Sequence, residues 1–191
     1  QPYTVFGFDV YKYSEMNKEE MVLLPMLIND FLQNAMAQAY DKDKSIFSRY
    51  KSKEDDFNRF ISTGDGGFFI LNNPLEAISL LIFFSLFVRV HNAKLFDHFS
   101  NKILDELTVR YCITTGNVYE FNNNYYGKAI IDCARILSKD KLNRVLIDNN
   151  THKWFLTNIV GIENLKNFDS AFLRTTSTKL MQDINITDDK L

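Results

Sequence analysis

The segment Phe60-Ile-Ser-Thr-Gly-Asp-Gly-Gly-Phe-Phe-Ile-Leu71 places a short polar turn between two apolar runs. Asp and Gly tolerate the backbone conformations that a tight turn between antiparallel strands requires. Asp65-Gly66 therefore predicts a β-hairpin, with Asp65 at its tip and one strand on either side.

The chain before this hairpin predicts one strand and one helix. Residues 4–11 are aromatic or β-branched on both faces, as in an inner strand that is covered on both sides. Apolar residues then recur at helical spacing over residues 19–40, and either Ser14 or Asn17 could cap this helix. The predicted order up to the hairpin is strand, helix, strand, strand.

The chain after the hairpin predicts a second helix, a strand and further elements. Asn73-Pro74 is typical of a helix start, and the apolar helix that it opens is expected to end between His91 and Ala93. The expected later elements are a polar helix, a strand, a hairpin turned by Gly116-Asn117, a helix, a short strand, a short helix and a last strand. These cover residues 96–107, 108–115, 116–121, 127–138, 144–147, 150–155 and 168–173.

This order is the βαββαβ ferredoxin-like pattern with additions. The predicted fold class is therefore α+β, with a ferredoxin-like core and additional strands and helices. A length of 191 residues with 46% hydrophobic residues suits one domain with a single large core. We expect residues 1–175 to form that domain and residues 176–191 to form a polar C-terminal tail.

Charge and cysteine content restrict the function classes. The net charge is −2 and the basic residues are scattered, so we expect that the protein does not bind nucleic acid. Cys112 and Cys133 have no metal-type spacing, and they are interpreted as buried thiols of a reducing compartment, without a disulfide.

The longest apolar stretch, residues 75–88, is interpreted as a buried helix. It is shorter than the ~20 residues that a membrane span needs, it carries Glu76 and it stops at Arg89. We therefore expect a cytoplasmic protein that makes no membrane contact.

Two acidic residues carry the functional hypothesis. Asp9 lies at the end of the first predicted strand, and Asp65 lies at the hairpin tip. Two carboxylates at strand ends are a means of holding a pair of divalent cations over a triphosphate. Considered singly, Asp65 is better explained as a turn residue and Asp9 as a strand-end cap or a salt-bridge partner, and the metal hypothesis depends on the two together with the later motif.

Three motifs resemble the class III nucleotide cyclases, the adenylyl and guanylyl cyclase catalytic domains, in order and spacing. Phe8-Asp9-Val10-Tyr11-Lys12-Tyr13-Ser14 is similar to the first metal motif of that family, and Thr63-Gly64-Asp65-Gly66 is similar to the second. The stretch from Tyr126 to Leu137 resembles the helix with the transition-state residues, and Ile113-Thr-Thr-Gly116 the strand and turn before it. The resemblance covers residues 4–155.

The resemblance implies a metal-dependent enzyme with composite sites. Asp9, Asp65 and the carbonyl of Val10 would hold two divalent metal ions, Mg²⁺ or Mn²⁺, and the substrate would be a nucleoside triphosphate. Arg135 would act on the α-phosphate in the site of a second subunit, which implies a head-to-tail homodimer. The helical spacing places Arg135 on the far side of its helix from the core, where the alternative is an ordinary ion pair with Asp132.

Three positions depart from the purine cyclases of this family. Ile61 and Asn124 stand where those enzymes carry their base-reading residues, and Ile131 stands where they carry the transition-state Asn, with Asp132 beside it. Because Ile61 offers no hydrogen bond to a purine, the chain looks like the bacterial branch of the family that makes cyclic pyrimidine nucleotides as an antiphage signal. A separate effector protein would read that product.

Other interpretations stay open from the sequence. One is an adenylate or guanylate cyclase with atypical base recognition, and another is a catalytically degenerate cyclase-homology module that only binds. A diguanylate cyclase is a weaker alternative, because only Gly64-Asp-Gly-Gly67 resembles its signature. Arg174, Lys179 and Lys166 are candidates for binding the triphosphate tail.

Overall fold

In the computed structural model of the protein, residues 2–47, 59–95, 100–122, 124–141 and 144–165 are described. The predicted tail of residues 176–191, the predicted last strand of residues 168–173 and the three basic candidates Arg174, Lys179 and Lys166 lie outside these ranges.

A five-stranded sheet forms the centre of the domain, with the strands β1 Pro2–Val10, β2 Phe60–Ser62, β3 Gly66–Leu71, β4 Val109–Asn117 and β7 Val145–Ile147. Their order in the sheet is β2-β3-β1-β4-β7. Neighbouring strands are antiparallel, except for the parallel pair β4 and β7. The first four of these strands have the neighbour order of a ferredoxin-like βαββαβ core, so the predicted fold class is confirmed.

Helices cover both faces of this sheet. The helices are α1 Lys18–Lys42, α2 Pro74–Asn92, α3 Ser100–Ile103, α4 Lys128–Lys139 and α5 Asn149–Leu165. Helices α1 and α2 pack in one hydrophobic cluster with Phe6, Phe8 and Val10 of β1. Helix α4 packs in a second cluster on the opposite face, which contains Val5 of β1.

Strand β1 is the inner strand that the sequence predicts. Its side chains alternate between the two clusters, and all its residues from Thr4 to Phe8 are buried. Because β1 lies between β3 and β4, its last residues meet the start of β3 and the start of β4 at one edge of the sheet. Asp9 is placed at that edge.

The N-terminal caps of α1 and α2 form as their sequences predict. The side chain of Asn17 accepts hydrogen bonds from the backbone N–H groups of Glu19 and Glu20, and Glu20 accepts one from the Asn17 N–H. Asn73 accepts from the two N–H groups that follow Pro74 in α2.

Helix α2 begins at Pro74 and ends at Asn92, as the sequence predicts. With 19 residues it is, among the described residues, the one helix whose length and composition would allow it to cross a membrane. Ala77, Leu80 and Phe84 of α2 are nevertheless fully buried in the first cluster, together with residues of β1 and β4. Helix α2 therefore has the contacts of a core helix.

The predicted second hairpin is wrong in its position. Gly116 and Asn117 are not a turn, because β4 continues through them and pairs with Tyr3 and Pro2 of β1. A separate hairpin follows, formed by β5 Tyr119–Phe121 and β6 Asn124–Tyr126. Asn122 adopts the left-handed conformation, with φ of 50°, which Asn tolerates better than most residues.

Two helices also differ in extent from the prediction. Of the polar stretch at residues 96–107, the described part is helical only in α3, and residues 104–108 continue without regular structure. Helix α5 extends ten residues beyond the predicted end at Phe155, to Leu165.

Candidate active site

Asp9 lies between two strands that each supply a neighbour. It is opposite Gly66 of β3 and opposite Arg110 of β4. Arg110 Nε donates to Asp9 Oδ1 at 2.8 Å, and Arg110 Nη2 donates to Asp9 Oδ2, so the guanidinium holds the carboxylate in a two-point pair. The side chains of Asp9 and Arg110 are only 18% and 15% exposed, respectively.

The first hairpin brings Asp65 to the same edge. The N–H of Val10 donates to the backbone oxygen of Asp65 at 2.9 Å, and Thr63 Oγ1 donates to Asp65 Oδ1 at 3.2 Å. Gly66 permits this close approach, because a Cβ atom there would lie 2.1 Å from the carbonyl oxygen of Phe8. The predicted positions of Asp9 at a strand end and Asp65 at a hairpin turn both match the structure.

The carbonyl of Val10 faces the same hairpin. In an extended strand the N–H and C=O of one residue point to the same side, and the Val10 N–H points at Asp65. The three oxygen donors that the resemblance implies, from Asp9, Val10 and Asp65, are therefore grouped at one end of β1.

Opposing influences act on the Asp9 carboxyl. Burial has the largest effect and raises the pKa of Asp9 above its ordinary value, while the Arg110 guanidinium lowers it. The negative charges of Asp65 and Asp140 raise the Asp9 pKa further. A second positive charge at this edge would therefore stabilise the ionised form of Asp9.

Carboxylate and carbonyl oxygens are the ligands that Mg²⁺ and Mn²⁺ prefer, so this donor set fits a hard divalent ion. For Asp9 to bind the ion, at least one of its two carboxylate oxygens must leave its hydrogen bond with Arg110 and face the ion. The described residues include no group of three or more His, Cys, Asp or Glu side chains placed to hold a metal. The two carboxylates would thus need a backbone oxygen and ligands from substrate or water.

Arg110 is the residue that sequence reasoning missed. It also donates from Nη1 to the backbone oxygen of Asp140 at 2.7 Å, which joins the end of α4 to the edge where Asp9 lies. Its signal in the sequence is a single charge inside the otherwise apolar run Val109-Arg110-Tyr111-Cys112-Ile113. This charge could not be assigned to the site from the sequence alone, because only the strand pairing shows that Arg110 lies opposite Asp9.

Helix α4 turns Arg135 away from the sheet. Ala129, Cys133 and Leu137 form the buried face of α4, and Ala134 next to Arg135 is exposed. At about 100° per residue, Arg135 lies roughly 160° around the helix from both Cys133 and Leu137. The body of α4 therefore separates Arg135 from the Asp9 of its own chain.

The outward face of α4 also carries Ile131 and Asp132. Ile131 is 51% exposed, and Asp132 pairs with Lys128 one turn earlier. No described residue forms a hydrogen bond or an ion pair with the Arg135 guanidinium, so the expected alternative, a pair between Asp132 and Arg135, is not observed.

The two candidate base-reading residues are placed differently. Ile61 packs against the cluster under α4, together with Tyr125 of β6. Asn124 is exposed and lies on the other face of the β5–β6 hairpin, since alternate residues of a strand point to opposite faces. Tyr125, which sequence reasoning also missed, is the β6 residue that packs against the same cluster as Ile61.

Both predicted thiols are buried. Cys112 of β4 and Cys133 of α4 are free cysteines with no exposed surface, and the Cys133 thiol lies 3.7 Å from the backbone oxygen of Cys112. Both side chains pack between α4 and the sheet, as small apolar residues would.

The fold is shared with solved cyclase structures. The guanylyl cyclase Cya2 matches with a TM-score of 0.54 at 16% identity, over 80% of this chain and 77% of that chain. The adenylyl cyclase CyaB from P. aeruginosa matches with a TM-score of 0.53 at 18% identity, over 82% of each chain. No protein-family model matches the chain, and no curated protein is similar to it in sequence. At this level of identity the likeness establishes the fold.

Proposed function

We propose that the protein is a metal-dependent nucleotide cyclase that converts a pyrimidine nucleoside triphosphate, UTP or CTP, into a 3′,5′-cyclic monophosphate and pyrophosphate. The observation that carries this proposal is the grouping of Asp9, Asp65 and the Val10 carbonyl at one edge of a cyclase-type sheet. The likeness in fold to Cya2 and CyaB supports it.

The residues of this chain would divide the chemistry between them. Asp9, Asp65 and Val10 would hold two Mg²⁺ or Mn²⁺ ions, which lower the pKa of the ribose 3′-hydroxyl and neutralise charge on the phosphates. Arg110 would remain beside Asp9 and supply a positive charge at the edge where the triphosphate lies. Arg135 would donate to the α-phosphate oxygens, where negative charge develops in the transition state.

A homodimer would complete the site. Arg135 faces away from the Asp9 of its own chain, so it would act on substrate held by the metal residues of a second copy. The large exposed apolar side chains support such a contact, because several lie on the β5–β6 hairpin and on the outward face of α4. These are Tyr119, Phe121, Tyr126 and Ile131. Burying them between two copies would stabilise the dimer.

A pyrimidine substrate is supported by the loss of purine-reading groups. Ile61 is half-buried against an apolar cluster and has no hydrogen-bonding side chain. Ile131 likewise offers no polar contact to the ribose, a role that Asp132 could take. We propose that the cyclic product is an antiphage signal that is made in the cytoplasm and read by a separate effector protein.

One observation favours a second candidate, a degenerate cyclase-homology module that binds a nucleotide without turnover. Both carboxylate oxygens of Asp9 accept hydrogen bonds from Arg110, which would compete with metal binding. An adenylate or guanylate cyclase with atypical base recognition is a further alternative, which the substrate screen separates from the pyrimidine cyclase.

A screen of the four nucleoside triphosphates with Mn²⁺ tests the proposal. We expect the purified protein to release pyrophosphate and a 3′,5′-cyclic monophosphate from UTP or CTP, measured by mass spectrometry. Asp65→Asn removes one carboxylate charge from the site and should abolish both Mn²⁺ binding and turnover, whereas Asp105→Asn, at an exposed position outside the proposed metal set, is the matched control. Absence of a cyclic product from all four triphosphates, in folded dimeric protein that binds Mn²⁺, would contradict enzyme activity.

A further inference from the structure

A buried acidic residue that the proposed function does not use lies next to Arg110. Asp140 directly follows α4, and its backbone N–H donates to the carbonyl oxygens of Ile136 and Leu137 at 3.1 and 3.2 Å. Only 1% of the Asp140 side chain is exposed. A carboxylate that is buried to this extent needs cations or hydrogen-bond donors beside it.

Two arginines approach Asp140 at different atoms. Arg110 Nη1 donates to the backbone oxygen of Asp140 at 2.7 Å, whereas Arg144 Nε donates to its carboxylate oxygen Oδ1 at 3.0 Å. The backbone links the two arginines, because the N–H of Tyr111 donates to the backbone oxygen of Arg144 at 3.3 Å, where β4 pairs with β7. Arg110 and Arg144 therefore bind the same acidic residue from two neighbouring strands.

The negative charge of Asp140 acts on both Arg110 and Asp9. Hydrogen bonding to Asp9 raises the pKa of Arg110 above its ordinary value, burial lowers it, and the charge of Asp140 raises it further. Burial has the largest effect on the pKa of Asp9 and raises it, and the charge of Asp140 adds to that rise. Asp9 and Asp140 are thus two carboxylates that attract the same guanidinium.

A guanidinium binds a carboxylate more strongly than a backbone carbonyl, because the hydrogen bond then joins opposite charges. Arg144 binds the Asp140 carboxylate in this way, and Arg110 binds the carbonyl of the same residue. We infer that Arg144 is a positioning residue for the active site, which by neutralising Asp140 keeps the Nε and Nη2 donors of Arg110 directed at Asp9. The inference rests on the proposed function, since it concerns the edge where the metal ions and the triphosphate would bind.

This role of Arg144 determines how Arg110 shares the edge with a metal ion. When one oxygen of Asp9 turns to a divalent ion, the Asp140 carbonyl keeps the guanidinium at the edge, where its charge faces the triphosphate. Without Arg144, the guanidinium would turn from Asp9 to the carboxylate of Asp140. Asp9 would then bind the ion more readily, and the triphosphate would lose a positive charge.

The Mn²⁺ affinity of the purified protein, measured by calorimetry, tests the inference. Arg144→Met should bind Mn²⁺ about threefold to tenfold more tightly than the unaltered protein, because Arg110 no longer competes for Asp9. Arg144→Lys keeps the charge, so its affinity should lie close to that of the unaltered protein. Lys153→Met removes one positive charge from an exposed position of α5 and is the matched control.

A combination with Arg110→Met shows whether Arg144 acts through Arg110. In a chain that already carries Arg110→Met, the addition of Arg144→Met should change the Mn²⁺ affinity by less than about twofold, because the guanidinium that Arg144 positions is absent. An equal gain with and without Arg110 would show that Arg144 acts through its own charge alone, and would overturn the inference. A Mn²⁺ affinity of Arg144→Met no higher than that of Lys153→Met would overturn it as well.

Turnover at saturating Mn²⁺ gives a second readout. We expect Arg144→Met to raise the KM for the preferred triphosphate and to lower kcat/KM roughly tenfold, although this variant binds the metal more tightly. Damage to the fold would instead weaken metal binding and turnover together. A parallel loss of both in Arg144→Met would therefore contradict a positioning role.

Failure of the proposed function is a distinguishable outcome. If the unaltered protein turns over no triphosphate, the Mn²⁺ affinities of the single and combined variants still decide the role of Arg144. If neither the unaltered protein nor Arg144→Met binds Mn²⁺, the metal site and the inference are both wrong. If Arg144→Met does not fold, Arg144→Gln serves in the same comparisons, because its amide can donate to Asp140 but carries no charge.

Discussion

The pairing of Asp9 with Arg110 dominates the site at the scale of single residues. A buried carboxylate next to a second carboxylate is unfavourable unless a cation lies nearby, and Arg110 provides that cation in the protein alone. A divalent ion bound by Asp9 would also stabilise the ionised carboxylate, with a larger positive charge. The guanidinium and the metal thus compete for the oxygens of one carboxylate, and the affinity for metal depends on how readily Arg110 releases one of them while it stays beside Asp9.

Substitution of Arg110 tests this competition. Arg110→Met leaves the Asp9 charge without its partner, so we expect the free energy of unfolding to fall by about 2 kcal/mol, moderated because both side chains keep some exposure. Mn²⁺ should then stabilise Arg110→Met more than it stabilises the unaltered protein, because the ion restores the missing charge. Urea unfolding with and without Mn²⁺ measures both effects.

The double variant Asp9→Asn with Arg110→Met is the control for this experiment. It removes both charges of the pair, so its response to Mn²⁺ should be small. A response of Arg110→Met no larger than that of the unaltered protein would mean that the guanidinium does not compete with the ion.

At the scale of elements, the sequence predicts regular structure better than it predicts turns. The hairpin at Asp65-Gly66 and the caps at Asn17 and Asn73 form as expected, because in each case local chemistry alone satisfies the backbone. The sequence Gly116-Asn117 is also typical of a turn, yet here both residues are extended because they pair with β1. A turn signal is overridden where a neighbouring strand offers continuous hydrogen bonding.

The junction between β6 and α4 depends on one glycine. Gly127 has φ of +156°, and a Cβ atom there would lie 2.2 Å from the backbone oxygen of Asn117. This residue sets where α4 begins, and hence where Ile131 and Arg135 point.

Gly127→Ala should therefore destabilise the domain by about 2 kcal/mol or more, because both the backbone conformation and the close contact are lost. Gly161→Ala in α5 is the matched control, because no atom lies within 4 Å of its added Cβ. It should stabilise by about 0.5–1 kcal/mol through helix propensity. Chemical denaturation compares the two variants, and equal effects would contradict the role assigned to Gly127.

At the scale of the whole molecule, the order of the core strands and helices could be predicted because hydrophobic periodicity and turn residues indicate each element, and that order is the one of a ferredoxin-like core. The site could be predicted only in part. Asp9 and Asp65 could be identified from the sequence as charged residues at strand ends. The relevance of Arg110 depends on which strands pair, and that of Tyr125 depends on the face of the β5–β6 hairpin that it occupies. Such neighbours come from distant parts of the chain, and sequence spacing does not encode them.

The outward direction of Arg135 is the feature of the whole molecule on which a composite active site depends. One chain holds the proposed metal residues on the inner side of α4 and holds Arg135 on its outer side. A catalytic role for both sets requires two chains, each of which lends Arg135 to the other.

Mixing two inactive variants tests this arrangement most directly. Asp65→Asn and Arg135→Ala should each be inactive alone. Mixed in equal amounts after exchange of subunits, they should regain about a quarter of the activity of the unaltered protein, because half of the dimers pair unlike chains and carry one intact site of two. Cyclic nucleotide release from UTP or CTP with Mn²⁺ measures the recovery. An inactive mixture in which mixed dimers are demonstrated, or full activity of Arg135→Ala alone, would contradict the composite site.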